Sequence, residues 1–209
     1  MYLQQKVMHQ TNDTIIRQAL VQRLNEEYAA DSEYRVIPEL GVWHGTARMD
    51  VTAVVNGVLH GFEIKSDRDT LSRLPDQREA YNSVFDKVTL VVGARHFVDA
   101  FKMVPEWWGI ETVRMNETGS IFFNVIREPR DNPAQDSISV ARLLWRHQAL
   151  DLLESIGKAQ GVRSKPRDAI YARIAESVER EDLKFEELKQ YVRSVLPTQR
   201  QNVSAVQLA

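Results

Sequence analysis

The sequence contains no cysteine and no long run of apolar residues. The absence of cysteine excludes disulfide bonds, thiolate nucleophiles and cysteine-ligated zinc or iron–sulfur sites. The longest largely apolar run, around residues 88–92, has the length of a strand, whereas a membrane-spanning helix needs about 18 apolar residues. Residues 1–6 have no apolar stretch behind their positive charge, which argues against a signal peptide. We therefore expect a cytoplasmic protein.

Common nucleotide-binding and hydrolase motifs are missing as well. The chain has no P-loop sequence, no Gly-x-Gly-x-x-Gly after a strand and no Gly-x-Ser-x-Gly elbow. None of its five histidines has another histidine four residues away, so a histidine-based metal site is not predicted.

What is present is the composition of an ordinary globular protein. The 209 residues are 43% hydrophobic and 27% charged, with a net charge of -2. A chain of this length can bury a large core without disulfides. Residues 141–209 carry 12 Lys and Arg against nine Asp and Glu, which favours this part of the chain as the one that touches phosphate.

Hydrophobic periodicity predicts an α/β fold in the first 131 residues. In chain order it predicts a helix over 13–29, strands over 34–40, 49–55 and 58–65, a helix over 69–85, a strand over 87–92, a helix over 96–104, and strands over 109–115 and 120–126. Asn56-Gly57 predicts a two-residue hairpin, because both positions tolerate positive φ. The uninterrupted apolar run of the fourth strand predicts burial on both faces. This order predicts a mixed central sheet flanked by helices.

A helical C-terminal region follows. A stretch rich in charge and proline, residues 127–133, predicts a linker, and helices are predicted over 139–157, 166–179 and 183–196. We therefore divide the chain into an α/β domain, residues 1–131, and a helical region, residues 132–209, that is a candidate for nucleic-acid binding.

The residues that carry chemistry lie on the second and third strands. Asp50 opens the second strand, and Glu63 and Lys65 lie across the hairpin, starting thirteen residues later. Alternate strand residues share a face, so Glu63 and Lys65 point one way while Phe62 and Ile64 point into the opposite layer. Two carboxylates can hold Mg²⁺ together with several waters. The metal can then lower the pKa of a bound water, which a lysine can orient or activate.

This pattern resembles a known superfamily. Asp50 followed by Glu63-x-Lys65, across a hairpin and after an N-terminal helix, resembles the PD-(D/E)XK nucleases. Gln77-Arg78-Glu79-Ala80-Tyr81 is similar to the Gln-x-x-x-Tyr motif of their RecB-like branch. An uncharacterised bacterial and phage family of this superfamily is similar over most of the chain, through Gly61-Phe62-Glu63-Ile64-Lys65-Ser66-Asp67-Arg68-Asp69-Thr70-Leu71, Arg73-Leu74-Pro75 and Trp107-Trp108-Gly109.

The resemblance implies a restriction-endonuclease-like fold and a Mg²⁺-dependent nuclease that cuts DNA in a repair, recombination or phage-related role, with Mn²⁺ as a substitute metal. It implies Asp50 and Glu63 as metal ligands and Lys65 as the residue that assists the water. Gln77 and Tyr81 would support the metal site or contact the nucleic acid. The structural alternatives are a solvated ion pair of Glu63 with Lys65, and a helix face packing on the sheet for Gln77 and Tyr81.

The family also has a further acidic ligand, for which three positions are open. In many members it is a glutamate on the first helix, which would be Glu26 or Glu27 here. Glu39, at the end of the first strand and near Asp50 in sequence, is the position that we prefer, because a short meander brings it next to the Asp50 strand.

Other residues of the same stretch have structural interpretations. Asp67 and Asp69 are expected to form a turn and cap the following helix rather than bind metal. Trp107 and Trp108 are expected to anchor packing rather than to stack on bases. Arg48 is expected either to meet a phosphate or to pair with a neighbouring carboxylate.

A basic loop precedes the helix predicted at residue 166. Its cations, Arg163, Lys165 and Arg167, and the amides at the start of the helix can meet a phosphate backbone. Residues 152–175 resemble a SAP-like helix–loop–helix DNA-binding module. We expect DNA contacts from these three side chains, with a solvated basic loop as the alternative.

Two other functions compete with the nuclease. One is a non-cutting DNA-binding or assembly subunit that retains the fold, and the other is an adaptor that binds no nucleic acid. The complete set of Asp50, Glu63 and Lys65 favours the nuclease, because a subunit that does not cut has no physical need for this cluster.

Overall fold

The computed structural model describes residues 10–31 and 33–196. Within these residues the chain forms one sheet with flanking helices, followed by a group of C-terminal helices. The strands are β1 (Tyr34–Val42), β2 (Ala47–Val55), β3 (Val58–Lys65), β4 (Lys87–Gly93), β5 (Gly109–Met115) and β6 (Ile121–Arg127). The helices are α1 (Asp13–Glu27), α2 (Leu74–Asn82), α3 (Phe97–Met103), α4 (Ser137–Ala141), α5 (Arg146–Ser155), α6 (Arg167–Glu179) and α7 (Phe185–Val195). A short 3₁₀ turn, Trp43–Gly45, joins β1 to β2.

The strands lie in the sheet in the order in which they occur in the chain. β3 pairs in parallel with β4, and β4 with β5, whereas the other neighbours are antiparallel. The prediction of a mixed α/β sheet is therefore confirmed. At the predicted hairpin, Asn56 and Gly57 have φ angles of 48° and 76°, the left-handed backbone that a two-residue turn of this kind requires.

The two faces of the sheet bury different sets of side chains. The buried side chains of α1 pack against a layer that includes Phe62 and Ile64. Glu63 and Lys65 point to the opposite face, where both contact side chains of α2. The alternation predicted for β3 is confirmed. The burial of Val88 to Gly93 also confirms that β4 is covered on both faces.

One long helix of the prediction is two helices in the structure. The sequence predicts a continuous helix over residues 139–157, but the chain turns at residues 142–145, between α4 and α5. Trp145 in this turn has extended backbone angles and is 69% exposed. The apolar repeat that favours one helix therefore does not mark a continuous buried stripe.

The helix predicted over residues 69–85 is shorter in the structure. Asp69 accepts hydrogen bonds from the Ser66 amide at 2.7 Å and the Ser66 hydroxyl at 2.6 Å, and so closes a turn before α2. Asp67 accepts hydrogen bonds from the amide and hydroxyl of Thr11. The expected turn is therefore present. The expected cap is wrong, because α2 begins only at Leu74.

The C-terminal helices share a hydrophobic core with the sheet. Val88 and Leu90 of β4 belong to the same buried cluster as Val140, Ile174 and Val192 from α4, α6 and α7. The helical region therefore packs directly on the sheet. In the described ranges, no helix combines the length and the apolar character that are needed to cross a membrane.

Asp86, just before β4, connects α7 to the sheet. Its carboxylate accepts a hydrogen bond from the Leu59 amide at 2.7 Å. It also accepts one from Lys189 Nζ at 3.2 Å and one from Arg193 Nη2 at 2.6 Å. Since Lys189 and Arg193 are one turn apart on α7, this single carboxylate fixes both the position and the rotation of that helix.

Candidate functional site

A groove of about 970 Å³ opens at the C-terminal end of β3. Asp50, Glu63, Lys65 and Gln77 all line it. The structure therefore brings four of the predicted site residues, from β2, β3 and α2, to one place. The turn Trp43–Gly45 forms part of the rim.

Asp50 is held where β2 and β3 separate. The pairing of these two strands ends at Val51 and Phe62, so the next β3 amide on the β2 side, that of Ile64, needs another partner. Asp50 Oδ2 accepts the hydrogen bond of the Ile64 amide at 2.7 Å. Asp50 Oδ1 accepts a hydrogen bond from Arg17 Nη2 at 3.1 Å. Both oxygens of this carboxylate therefore have a donor.

Glu63 and Lys65 form a buried ion pair rather than the solvated surface pair that was the alternative. Glu63 is 1% exposed and Lys65 is 4% exposed. Lys65 Nζ lies 2.5 Å from Glu63 Oε1 and donates a second hydrogen bond to Gln77 Oε1 at 2.8 Å. Burying two charges is costly unless both are paired, and this geometry pairs them.

Gln77 and Tyr81 lie one turn apart on α2 and contact each other, with Gln77 Nε2 at 3.3 Å from the Tyr81 hydroxyl. That hydroxyl lies 2.8 Å from Glu63 Oε2 and 2.6 Å from the Arg48 carbonyl oxygen. A phenol has one hydrogen to donate, so these two acceptors compete for it. Tyr81 is fully buried and positions Glu63, whereas Gln77 reaches the groove.

The acidic pair is in an unfavourable environment for negative charge. Burial, together with the charge of Glu63, raises the pKa of Asp50 to about 7, although the Ile64 amide opposes the shift. Burial also raises the pKa of Glu63, against the stabilising charge of Lys65. A cation bound between the two carboxylates would relieve both effects.

The donor set fits a hard cation that keeps part of its water shell. In residues 10–31 and 33–196, no group of three or more His, Cys, Asp or Glu side chains is arranged to hold a metal ion. Asp50 and Glu63 therefore remain as a carboxylate pair. Mg²⁺ binds in this way, through one or two carboxylates and several waters. In this arrangement the three predicted ligands, Asp50, Glu63 and Glu39, do not form a three-carboxylate site.

Glu39 is near Asp50 but is held by arginines. It lies between residues that pair with Val51 and Met49 of β2, and its φ of 55° makes a local irregularity in β1. Its carboxylate lies 2.6 Å from Arg17 Nη1 and 3.5 Å from Arg48 Nη1. The expected pairing of Arg48 with a neighbouring carboxylate is therefore observed.

The other two candidates for the first acidic position are remote. Glu26 and Glu27 lie at the end of α1, and Glu26 accepts a hydrogen bond from Gln22 at 2.9 Å. The residue of α1 that contacts Asp50 is Arg17, nine residues before Glu26, which corresponds to about 13 Å along a helix.

Sequence reasoning did not identify Arg17 or Asp13 as site residues. Asp13 accepts from Arg17 Nη2 at 2.8 Å, and both side chains line the groove. Their spacing of four residues is that of a common helix ion pair. No signal in the sequence shows that α1 crosses the sheet with this end above Asp50.

The C-terminal basic loop lies near the rim of the groove. His44, in the rim turn, lies 3.3 Å from Asp168, the residue after Arg167. Arg163 pairs with Glu154 at 2.9 Å but is 64% exposed in its side chain. The loop is further held by Arg146, which donates to its backbone carbonyls.

Trp107 and Trp108 pack in the core rather than facing a binding surface. Trp107 is 9% exposed, and Trp108 is fully buried. The Trp108 indole N–H donates to Asn82 Oδ1 at 2.9 Å. The expected role as a packing anchor is confirmed.

The chain belongs to the family described as Bacteriophage P4 protein cII, whose model matches residues 6–208. Protein cII of Enterobacteria phage P4 is 32% identical over 126 residues. This match covers 60% of the chain and 47% of that relative, so the chain spans about half the length of the curated relative. No solved structure gives a significant match.

Proposed function

We propose that this member of the P4 cII family is a Mg²⁺-dependent nuclease that hydrolyses DNA phosphodiester bonds, in a phage-related role or in repair or recombination. The observation that carries the proposal is the buried Glu63–Lys65 pair beside Asp50 in an open groove. A fold does not need two carboxylates and a lysine buried together at the edge of solvent. The likeness of these residues to the PD-(D/E)XK pattern supplies the reaction class.

Asp50 and Glu63 would hold the metal. Glu39 would be an additional ligand after Arg17 and Arg48 move away from its carboxylate. A bound Mg²⁺ would stabilise developing charge on the phosphate and lower the pKa of an attacking water. Tyr81 keeps Glu63 in place through its 2.8 Å contact. Gln77 does the same for Lys65.

Lys65 is suited to orient the nucleophile. An ammonium has three hydrogens, and two of them are used by Glu63 and Gln77. The third is available to a water or a phosphate oxygen in the groove that Lys65 lines. Because its two other contacts fix the ammonium, this donor is oriented before substrate binds.

Two arginines and the C-terminal loop supply candidate phosphate contacts. Arg48 and Arg73 both line the groove, and both are exposed. Arg163 and Lys165 lie in the loop before α6, and Arg167 is the first residue of that helix, whose start approaches the rim turn. Cations at both places can position a nucleic-acid backbone without reading its sequence.

A non-cutting DNA-binding or assembly subunit is the second candidate. It is favoured by the fact that every carboxylate oxygen of Asp50 and Glu63 already has a hydrogen-bond partner. A subunit of this kind would use the same exposed cations but would have no need of a metal.

Metal binding and cleavage can be measured separately. We expect calorimetry to detect Mn²⁺ binding to the wild type and its loss in Asp50→Ala, because a hard cation loses an anionic ligand. Lys65→Ala frees Glu63 Oε1, so it should bind Mn²⁺ at least as tightly as the wild type, but it should cut a panel of single-stranded, duplex and branched DNAs at least about 10²-fold more slowly. Lys87→Ala is the control and should behave as the wild type. Lys87 is the first residue of β4 and lies beside His60, away from the groove at the C-terminal end of β3.

The outcomes distinguish the two candidates. A wild type that binds DNA but neither binds Mn²⁺ nor cuts any substrate in the panel would establish the non-cutting subunit. Cleavage by Lys65→Ala at the wild-type rate would remove the lysine from the mechanism while leaving the nuclease itself intact.

A further inference from the structure

We propose that Arg17 is a built-in competitor of a divalent cation, because its guanidinium contacts the Asp50 oxygen that a cation would use and has to leave it when a cation binds. The inference rests on the proposed function for the existence of the cation site, but it does not require that DNA be cut. Arg17 is a positioning residue in this scheme, since it acts through Asp50.

One guanidinium joins three acidic side chains. Arg17 Nη2 lies 2.8 Å from Asp13 and 3.1 Å from Asp50, while Nη1 lies 2.6 Å from Glu39. These acids come from α1, β2 and β1. The Arg17 side chain is 24% exposed and lines the groove, so it has open space to move into while the buried face of α1 stays in place.

Arg17 takes the oxygen of Asp50 that a metal would need. Oδ2 is occupied by the Ile64 amide at 2.7 Å, a contact that fixes the end of β3. Oδ1 is the remaining oxygen, and it is the one that faces Arg17. A guanidinium and a divalent cation on the same oxygen would repel each other strongly at such short range. Binding of the cation therefore displaces Arg17.

Moving the Arg17 guanidinium away from the acidic side chains costs little free energy. Asp13, Glu39 and Asp50 all contact this guanidinium, and Arg48, 3.5 Å from Glu39, is a second cation, so three carboxylates face two cations and the remaining negative charge attracts a divalent ion. Arg17 Nε is buried and has no hydrogen-bond partner. An unsatisfied buried donor is unfavourable, and it gains a chance of hydration when the side chain moves into the groove.

The test is the Mn²⁺ affinity of the full chain, measured by calorimetry. Arg17→Gln should bind Mn²⁺ at least about tenfold more tightly than the wild type, because a neighbouring opposite charge changes the affinity of a carboxylate for a proton by about 10-fold or more. Arg17→Lys should show a smaller increase in the same direction, since an ammonium lacks the fork that spans several carboxylates. The lysine variant keeps the charge, so the test does not depend on the folding of the glutamine variant.

Arg23→Gln is the matched control. Arg23 lies on the same helix and forms a two-point ion pair with Glu111, at 2.7 and 3.1 Å, away from the groove. Its replacement should lower stability without changing Mn²⁺ affinity.

In a thermal melt, Mn²⁺ should raise the Tm of Arg17→Gln more than that of the wild type, because tighter binding to the folded state stabilises it further.

Equal or weaker Mn²⁺ binding by folded Arg17→Gln and Arg17→Lys would overturn the competitor role. Absence of Mn²⁺ binding in the wild type and both variants would overturn this role and the metal site together. Tighter binding by the variants, in a protein whose wild type cuts no DNA, would support the competitor role while removing the nuclease.

Discussion

The two ends of β3 each carry an aspartate that accepts a backbone hydrogen bond from this strand at 2.7 Å. At the start of β3, Asp86 accepts the Leu59 amide, and at its end, Asp50 accepts the Ile64 amide. The two side chains are similarly shielded, with 13% and 18% exposure. Their surroundings differ in charge balance and in free space.

At the Asp86 end, the protein supplies its own counter-ions. Lys189 and Arg193 place two cations on one carboxylate, and the space beside them measures about 10 Å³, roughly one water molecule. At the Asp50 end, one arginine is shared among several acids next to a groove of about 970 Å³. Similar local hydrogen bonding thus lies in a filled, charge-balanced environment at one end and beside an open groove at the other.

The largest expected effect is a loss of stability caused by a change at the Asp86 end of β3. Asp86→Ala leaves the buried Arg193 without its carboxylate, whereas Lys189 keeps its contact with Glu186 at 2.6 Å, and we expect a loss of about 3–5 kcal/mol in the free energy of unfolding. Urea denaturation measures this loss. Mn²⁺ affinity should be unchanged, because the site at the other end of the strand keeps all its groups. If Asp86→Ala were stable but bound Mn²⁺ less tightly, the division of roles between the two ends would be wrong.

A smaller effect is expected at the Asp50 end of β3, where the free energy of unfolding should depend on pH. The pKa of Asp50 is raised from 3.8 to about 7 on folding, so the folded state holds a proton that the unfolded state releases between these values. Asp50 therefore favours folding below about pH 4, and this contribution is lost as the pH rises through about 7. Since one pKa unit corresponds to about 1.4 kcal/mol, we expect Asp50→Asn to gain about 1–3 kcal/mol on the wild type between about pH 5 and pH 8.

Chemical denaturation of both proteins across this pH range measures the difference. Saturating Mg²⁺ should reverse the trend in the wild type, because the metal favours the ionised carboxylate. If the difference in the free energy of unfolding between Asp50→Asn and the wild type did not vary with pH, with or without Mg²⁺, Asp50 would be ionised in the folded protein over the whole range. Its role would then be structural, like that of Asp86.

The smallest effect concerns the C-terminal helices, which contact both ends. α7 binds Asp86, and the start of α6 approaches the rim turn through Asp168 and His44. Replacing Arg163, Lys165 and Arg167 with alanine should make the salt dependence of DNA binding shallower, by about 0.9 in the log–log slope for each duplex phosphate that these cations neutralise in the wild type. Fluorescence anisotropy across a salt series measures this slope. An unchanged slope would mean that the loop is solvated surface.

Local patterns in the sequence predicted most of the sheet. The bounds predicted for β3 and β5 agree with the structure because each strand borders a turn that the sequence marks, Asn56-Gly57 before β3 and residues 116–119 after β5. Asn56-Gly57 set the register between β2 and β3, and this register places Asp50 beside Glu63. Features that repeat every two residues, or that fix a turn, can be recognised without knowledge of tertiary contacts.

The features that sequence reasoning missed depend on contacts between distant parts of the chain. Arg17 reaches Asp50, 33 residues away, because of the direction in which α1 crosses the sheet. The rim turn contains two non-glycine residues with positive φ, Trp43 at 50° and His44 at 58°, a conformation that non-glycine residues seldom adopt. His44 contacts Asp168 and the ring of Tyr171, and the packing of the C-terminal helices supports this unusual conformation.

The contact between Asp86 and α7 also has a consequence for the order of events during translation. Lys189 and Arg193 follow Asp86 by 103 and 107 residues. A ribosome therefore exposes β3 and the residue before β4 long before it makes the cations that neutralise Asp86. Contacts that span so much sequence form late and slow folding. We therefore expect the sheet of a growing chain to reach its full stability only after α7 has been made, and a chain interrupted before Lys189 to be more accessible to proteases and chaperones than the complete fold.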